Sequence, residues 1–191
     1  MMTVLAFNGS PRPDGNTASL IQKVLEPIKF AKINAEVIQL GGSGICPCKA
    51  CFLCMKNKNG RCATEGDKLN EWVAKMAKAN AIIIGSPTYF AGMTPETKAL
   101  IDRAGFVARA NGNLFARKIG AAVSAVRRGG AVDVMSSINK MFLISQMIIP
   151  GSTYWNFGVG MNKGEVGSDE EGIANMRNLG ENIAWLLNRI Y

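Results

Sequence analysis

Short runs rich in apolar residues, several of them apolar throughout, alternate along this chain with amphipathic segments, and few folds accept that alternation. Thr3 to Phe7, Ala35 to Leu40, Ala81 to Ile84, Lys118 to Ala125 and Thr153 to Phe157 read as strands. Between the first two, Leu20, Ile21, Val24, Leu25 and Ile28 form one helical stripe, with a bend expected near Pro27. Asp67 is the expected cap of a helix carrying Leu69, Trp72, Val73 and Met76. Thr94 and Pro95 read as N-cap and first residue of a helix running to about Val107. A further helix is expected from about Val132 to Ile148. Ser168 with Glu171 reads as a capping box for the last helix, whose Ile173, Met176, Ile183, Leu187 and Ile190 should face inward.

Strands that are apolar throughout, separated by helices, belong to a parallel sheet covered on both faces. The expected fold is therefore α/β, one doubly wound domain over residues 1–191, with strand order 2-1-3-4-5. Between strand 2 and the next helix lies a glycine- and cysteine-rich excursion, Gly41 to Gly66. Ligands of such sheets bind beyond the strand C-termini, where the order reverses. Hence the loops after Phe7, Ile84 and Ala125 should build the site.

The first of these loops is Gly9-Ser10-Pro11-Arg12-Pro13-Asp14-Gly15-Asn16-Thr17. Glycine lets the backbone approach a ligand, and a helix N-terminus adds N–H donors and a favourable dipole for an anion. Arg12 offers a charge-assisted bond to phosphate. A plain polar strand-to-helix turn would have a similar composition. The loop fits neither the G-x-x-x-x-G-K-[ST] nor the G-x-G-x-x-G pattern.

The chain has no histidine. Ser-His-Asp and Cys-His catalysis and imidazole-bound zinc are thereby excluded, which leaves cysteine, backbone and hydroxyl groups, or a cofactor. All five cysteines fall between Cys46 and Cys62. The spacing Cys48-x2-Cys51-x2-Cys54-x7-Cys62 suits a [4Fe–4S] cluster, in which each thiolate holds one iron. A zinc site and a thiol/disulfide redox set are the competing readings. Cys46 is given no ligand role, because Pro47 stiffens the short step to Cys48.

At this point the motifs take on a family likeness. Phe7-Asn8-Gly9-Ser10-Pro11-Arg12 with Gly15-Asn16-Thr17 resembles the phosphate loop of the NADPH-dependent FMN reductase family, which is flavodoxin-like. Gly85-Ser86-Pro87-Thr88-Tyr89-Phe90, followed by Lys98 and Ile101-Asp102-Arg103, resembles that family's second loop and its following helix. The resemblance implies non-covalent FMN, with Ser10, Arg12, Gly15, Asn16 and Thr17 around the phosphate. Pro87, Thr88, Tyr89 and Phe90 would then lie along the ribityl chain and isoalloxazine, with one of the two aromatics closing the sheet end as a core residue. The third loop, Arg127-Arg128-Gly129-Gly130, departs further from the pattern. Arg127, Gly129 and Gly130 are assigned to the flavin pyrimidine, with a solvent-facing turn as the competing reading.

The cysteine spacing resembles the iron–sulfur flavoprotein branch of the same group, which implies one cluster and one FMN per subunit and a dimer or dimer of dimers. Other flavin reductases of the group carry similar cysteines without a cluster, and that alternative stays open. The function this implies is an oxidoreductase passing electrons through FMN. NAD(P)H or a ferredoxin-type protein would be the electron donor, with Arg127 and Arg128 for a 2′-phosphate. The alternative is a non-catalytic electron carrier docking to ferredoxin-type partners.

The net charge of +8 is spread along the chain, so no nucleic-acid face is expected. No run is long and apolar enough for a membrane span. The opening MMTVLAFNGSPR lacks a basic stretch and a small-residue cleavage site, which makes the cytoplasm the expected location.

Overall fold

In the computed structural model, which describes residues 2–191, the apolar runs form five parallel strands in the order β2-β1-β3-β4-β5. They are β1 (Thr3–Asn8), β2 (Asn34–Gln39), β3 (Ala81–Pro87), β4 (Ile119–Val126) and β5 (Phe157–Val159). The helices are α1 (Asn16–Phe30), α2 (Leu53–Asn57), α3 (Leu69–Lys78), α4 (Pro95–Ala110), α5 (Ala131–Ile144) and α6 (Glu170–Ile190). The expected α/β class and strand order are both present.

Successive strand residues point to opposite faces, and the two cores follow from that. Val4 and Ala6 of β1 join Ile83 of β3 against Leu20, Ile21 and Val24 of α1 and Leu179 and Ile183 of α6. Leu5 and Phe7 point the other way, with Ile82 and Ile84, onto Trp72 of α3, Leu100 of α4 and Phe142 of α5. Each fully buried Leu, Ile or Phe contributes about 1.5–3 kcal/mol. β1 and β3 are covered on both sides and hold the C-terminal edge rigidly.

Four expected boundaries move. The fifth strand is Phe157–Val159 and not Thr153–Phe157. Asn175 of α6 takes the preceding backbone: its Oδ1 accepts from Tyr154 N (3.0 Å) and Thr153 Oγ1 (3.1 Å), and its Nδ2 donates to Trp155 O (2.5 Å). α5 stops at Ile144, since Gln146 turns left-handed and Ile148 bridges to the sheet beside Ile119. The cap of α6 is Asp169, whose Oδ1 accepts from Gly172 N at 2.9 Å; Ser168 ends a 3-10 turn, Glu165–Ser168. Asp67 lies one residue ahead of the N-cap position, which Lys68 takes, and its Oδ1 still accepts from Leu69 N at 3.1 Å at the start of α3. Ile190 is also 42% exposed, outside the core.

Candidate functional site

β1, β3 and β4 end together, so their loops meet at one rim. The cleft there encloses about 200 Å³ and is lined by Ser10, Arg12, Asn16, Thr17, Pro87, Thr88, Tyr89 and Arg127, with Gly160 and Met161. Most of the predicted phosphate-loop and second-loop residues are therefore brought together. Gly15 is the buried N-cap of α1, behind the lining.

Two side chains that sequence reasoning passed over shape the first loop. Asn8 accepts from Ser10 N (3.1 Å) and donates to Gln39 Oε1 (2.7 Å). Gln39 in turn donates to Ser10 O (2.7 Å) and Gly41 O (2.8 Å). A buried amide (Asn8) and a half-buried one (Gln39) at strand ends thus hold the loop against the sheet, with Ser10 Oγ accepting from Arg12 N at 3.1 Å. The Arg12 side chain is exposed and has no protein partner among the described residues, which leaves its charge for a ligand.

Asn16 is largely committed elsewhere. Its Nδ2 donates to Gly160 O (3.2 Å) and Asn162 O (2.9 Å), and its Oδ1 accepts from Gly164 N (2.9 Å). These bonds staple the segment after β5 to the start of α1 and supply the wall formed by Gly160 and Met161. Lys163 pairs with Asp14 across the same seam. No short-range motif marks this wall, because it comes from residues about 145 positions away in the chain.

The second loop makes a tight turn in which Tyr89 and Gly92 exchange backbone hydrogen bonds, both at 2.8 Å. Phe90 (φ 48°) and Ala91 (φ 58°) are left-handed, an uncommon state for residues with a Cβ. Thr88 N donates to Ala125 O (2.8 Å), and its hydroxyl meets Ser124 Oγ at 3.0 Å. Neither aromatic closes the core as expected: Tyr89 is 47% exposed, and Phe90 is fully exposed at the turn's tip, outside the cleft lining. Of the third loop only Arg127 lines the cleft. Gly129 stands in open space, and Gly130 (φ 90°) packs on Ala91 and Thr88 at the start of α5.

The cysteine excursion is a second locus. Cys48, Cys51, Cys54 and Cys62 line one small concavity with Phe52, Arg103 and Phe106, while Cys46 lies outside it. Left-handed Ala50 (φ 50°) and Phe52 (φ 54°) flank Cys51 and wind the chain tightly enough to bring three cysteines round the same hollow. All five cysteines are free. Among the described residues, no three acidic, cysteine or histidine groups are gathered closely enough to hold a single metal ion. Burial pushes the Cys54 thiol up. Burial also opposes the Cys62 thiolate, but hydrogen bonds from Arg103 and Thr64 outweigh it and hold this thiol below its ordinary value.

The parallel sheet of order 2-1-3-4-5, with its cleft at the switch point, defines a flavodoxin-like fold. The chain belongs to the NADPH-dependent FMN reductase family, whose sequence profile it matches over residues 2–162. It is 35% identical over 201 aligned positions to an iron-sulfur flavoprotein of Methanocaldococcus jannaschii, covering 99% of each chain. It is also 33% identical to an iron-sulfur flavoprotein of Archaeoglobus fulgidus, over 87% of this chain and 83% of that one. A solved archaeal flavodoxin shares the fold, with a TM-score of 0.62 at 15% identity, over 98% of this chain and 99% of that one. No described helix is long and apolar enough to cross a membrane.

Proposed function

We propose that this chain passes electrons between FMN, held in the switch-point cleft, and a [4Fe–4S] cluster on Cys48, Cys51, Cys54 and Cys62. The grouping of the four thiols carries this reading: Cys48, Cys51, Cys54 and Cys62 line one hollow, and a cubane cluster takes one thiolate at each of four irons. Exclusion of Cys46 from the hollow supports the same ligand set. Iron-sulfur flavoproteins among the relatives support it independently.

The flavin supplies hydride or single-electron chemistry when bound, so the protein needs no histidine acid or base. The residues around the cleft have narrower tasks. Ser10, Thr17 and the N-terminus of α1 receive the phosphate, and Arg12 neutralises it. Pro87, Thr88 and Tyr89 would line the ring's part of the cleft, and Arg127 would offer a positive charge at its edge. Arg127 and Arg128 are the candidates for a nicotinamide cofactor's 2′-phosphate. Exposed Phe52, Leu53 and Met55 on the cysteine excursion support a homodimer or homotetramer. Light scattering at micromolar concentration should give more than a monomer's mass.

Anaerobic reconstitution with iron and sulfide tests the cluster. Wild-type protein should gain broad absorbance with iron and labile sulfide in equal amounts; Cys51→Ser should lose both and keep its FMN, and Cys46→Ser should keep all three. Stoichiometric zinc with refusal of iron would overturn the cluster. Steady-state NAD(P)H oxidation would establish an enzyme, and its absence would leave an electron carrier serving ferredoxin-type partners.

A further inference from the structure

Arg103 is a fully buried cation on α4, and its contacts converge on the cysteine excursion. Its Nε donates to Cys62 Sγ at 3.4 Å. Nη2 donates to Thr64 O at 2.9 Å, and Nη1 to Cys46 O at 3.0 Å. Nη1 also pairs with Asp67, whose side chain is 2% exposed and whose Oδ2 accepts from Cys46 N at 3.0 Å. One guanidinium therefore ties residues 46, 62, 64 and 67 to α4. The Cys62 backbone is fixed separately: its N donates to Asn70 Oδ1 (2.7 Å) and its O accepts from Asn70 Nδ2 (2.9 Å).

A bare structural strut would explain the bonds to Thr64, Cys46 and Asp67 but not the donor aimed at sulfur. Burying a guanidinium is costly unless every N–H finds a partner, and an apolar pair of similar volume often serves the fold as well. The chemistry of the sulfur site accounts for the choice. A four-thiolate cluster is anionic and gains one more negative charge on reduction. A buried N–H donor aimed at one sulfur favours the reduced form, as outer-shell hydrogen bonds do at iron–sulfur centres generally.

Resting on the cluster reading above, we propose that Arg103 is a positioning residue of the cysteine site that presents Cys62 to the cluster and raises its one-electron reduction potential through the Nε–H···Sγ bond. The planar fork makes this a task for arginine: lysine keeps the charge but cannot hold Cys62, Thr64 and Asp67 in one plane.

The test is a mediated redox titration of anaerobically reconstituted protein, reading the paramagnetic signal of the reduced cluster. It compares wild type with Arg103→Lys and with the double variant Arg103→Met/Asp67→Leu, which removes both buried charges together. FMN retention reports folding. The folded variants should bind less iron than wild type. The cluster they retain should titrate lower by on the order of tenfold in the reduced-to-oxidised ratio, about 59 mV for one electron. Folded variants that keep their FMN but load no iron would support the positioning role. Folded variants with wild-type iron content and wild-type potential would overturn the proposal and leave the cluster standing. Wild-type protein that takes up no iron would remove the cluster reading, and the role of Arg103 with it.

Discussion

The Thr94 hydroxyl donates to the Gly9 carbonyl at 2.9 Å, joining two loops that are 85 residues apart in the chain. Its single proton is thereby used, so the 2.8 Å contact with Thr97 Oγ1 has Thr97 as donor. Thr94 Oγ1 also accepts from Thr97 N at 3.4 Å, and Thr94 N donates to Ser86 Oγ at 3.0 Å. The N-cap of α4 is thus also the bolt between the first and second loops of the cleft.

Replacing Thr94 by Val keeps the shape and removes both the donor and the cap. A loss of about 1–2 kcal/mol is expected, measured by chemical denaturation. Thr94→Ser should retain most of that stability. FMN affinity should fall in the Val variant as well, because the Gly9 carbonyl loses its tether.

Gly9 has no room for a side chain. A Cβ there would lie 2.1 Å from Thr97 Oγ1 and 2.8 Å from the backbone oxygen of Gly85. The threonine can rotate but the strand carbonyl cannot, so Gly9→Ala should cost about 1–3 kcal/mol, as overpacking does. It should also push the phosphate loop off the β3 end. Isothermal titration with FMN would register the displacement as weaker binding.

Arg12 separates binding from folding. Its exposed side chain makes no hydrogen bond or ion pair among the described residues, so substitution should leave stability within about 0.5 kcal/mol. Arg12→Glu places like charge beside the FMN phosphate, and a loss of roughly ten- to a hundredfold in affinity is expected from a charge-assisted bond of about 1.5–3 kcal/mol. Wild-type affinity in that variant would dismiss the phosphate assignment.

The Asp67–Arg103 pair makes the cysteine excursion sensitive to acid. Burial opposes the Asp67 carboxylate, but the Arg103 guanidinium and the backbone N–H groups of Cys46 and Leu69 outweigh it and lower its pKa. A carboxyl lowered in the folded state stabilises fully above its unfolded value, about 3.9, and loses that contribution as pH falls further. Stability should therefore drop below about pH 4 in wild type, and less steeply in Asp67→Asn. At neutral pH, Asp67→Ala strands a buried cation and should cost about 3–5 kcal/mol. Denaturation midpoints across pH 3–7 would show both effects.

Local order settled much of this protein. The apolar runs of β1, β3 and β4 have no stable place except inside a sheet covered on both faces, so class, strand order and the rim of the site follow from periodicity. The first loop's glycines, hydroxyls and Arg12, and the spacing of the four cysteines, carry their chemistry in sequence because each group of partners is close along the chain. Tertiary structure decided what depends on distant partners. Asn175 held Thr153 and Tyr154 out of β5, and the pull of the sheet on Ile148 shortened α5. Asn16, assigned to the phosphate loop, lines the cleft and also holds a wall arriving from residues 160–164. Arg103 enters in sequence only as part of the Ile101-Asp102-Arg103 motif; only folding brings residues 46, 62, 64 and 67 around it. The physical reason is common to all of these: a buried polar group must find a partner, and which partner lies within reach is a property of the packed chain.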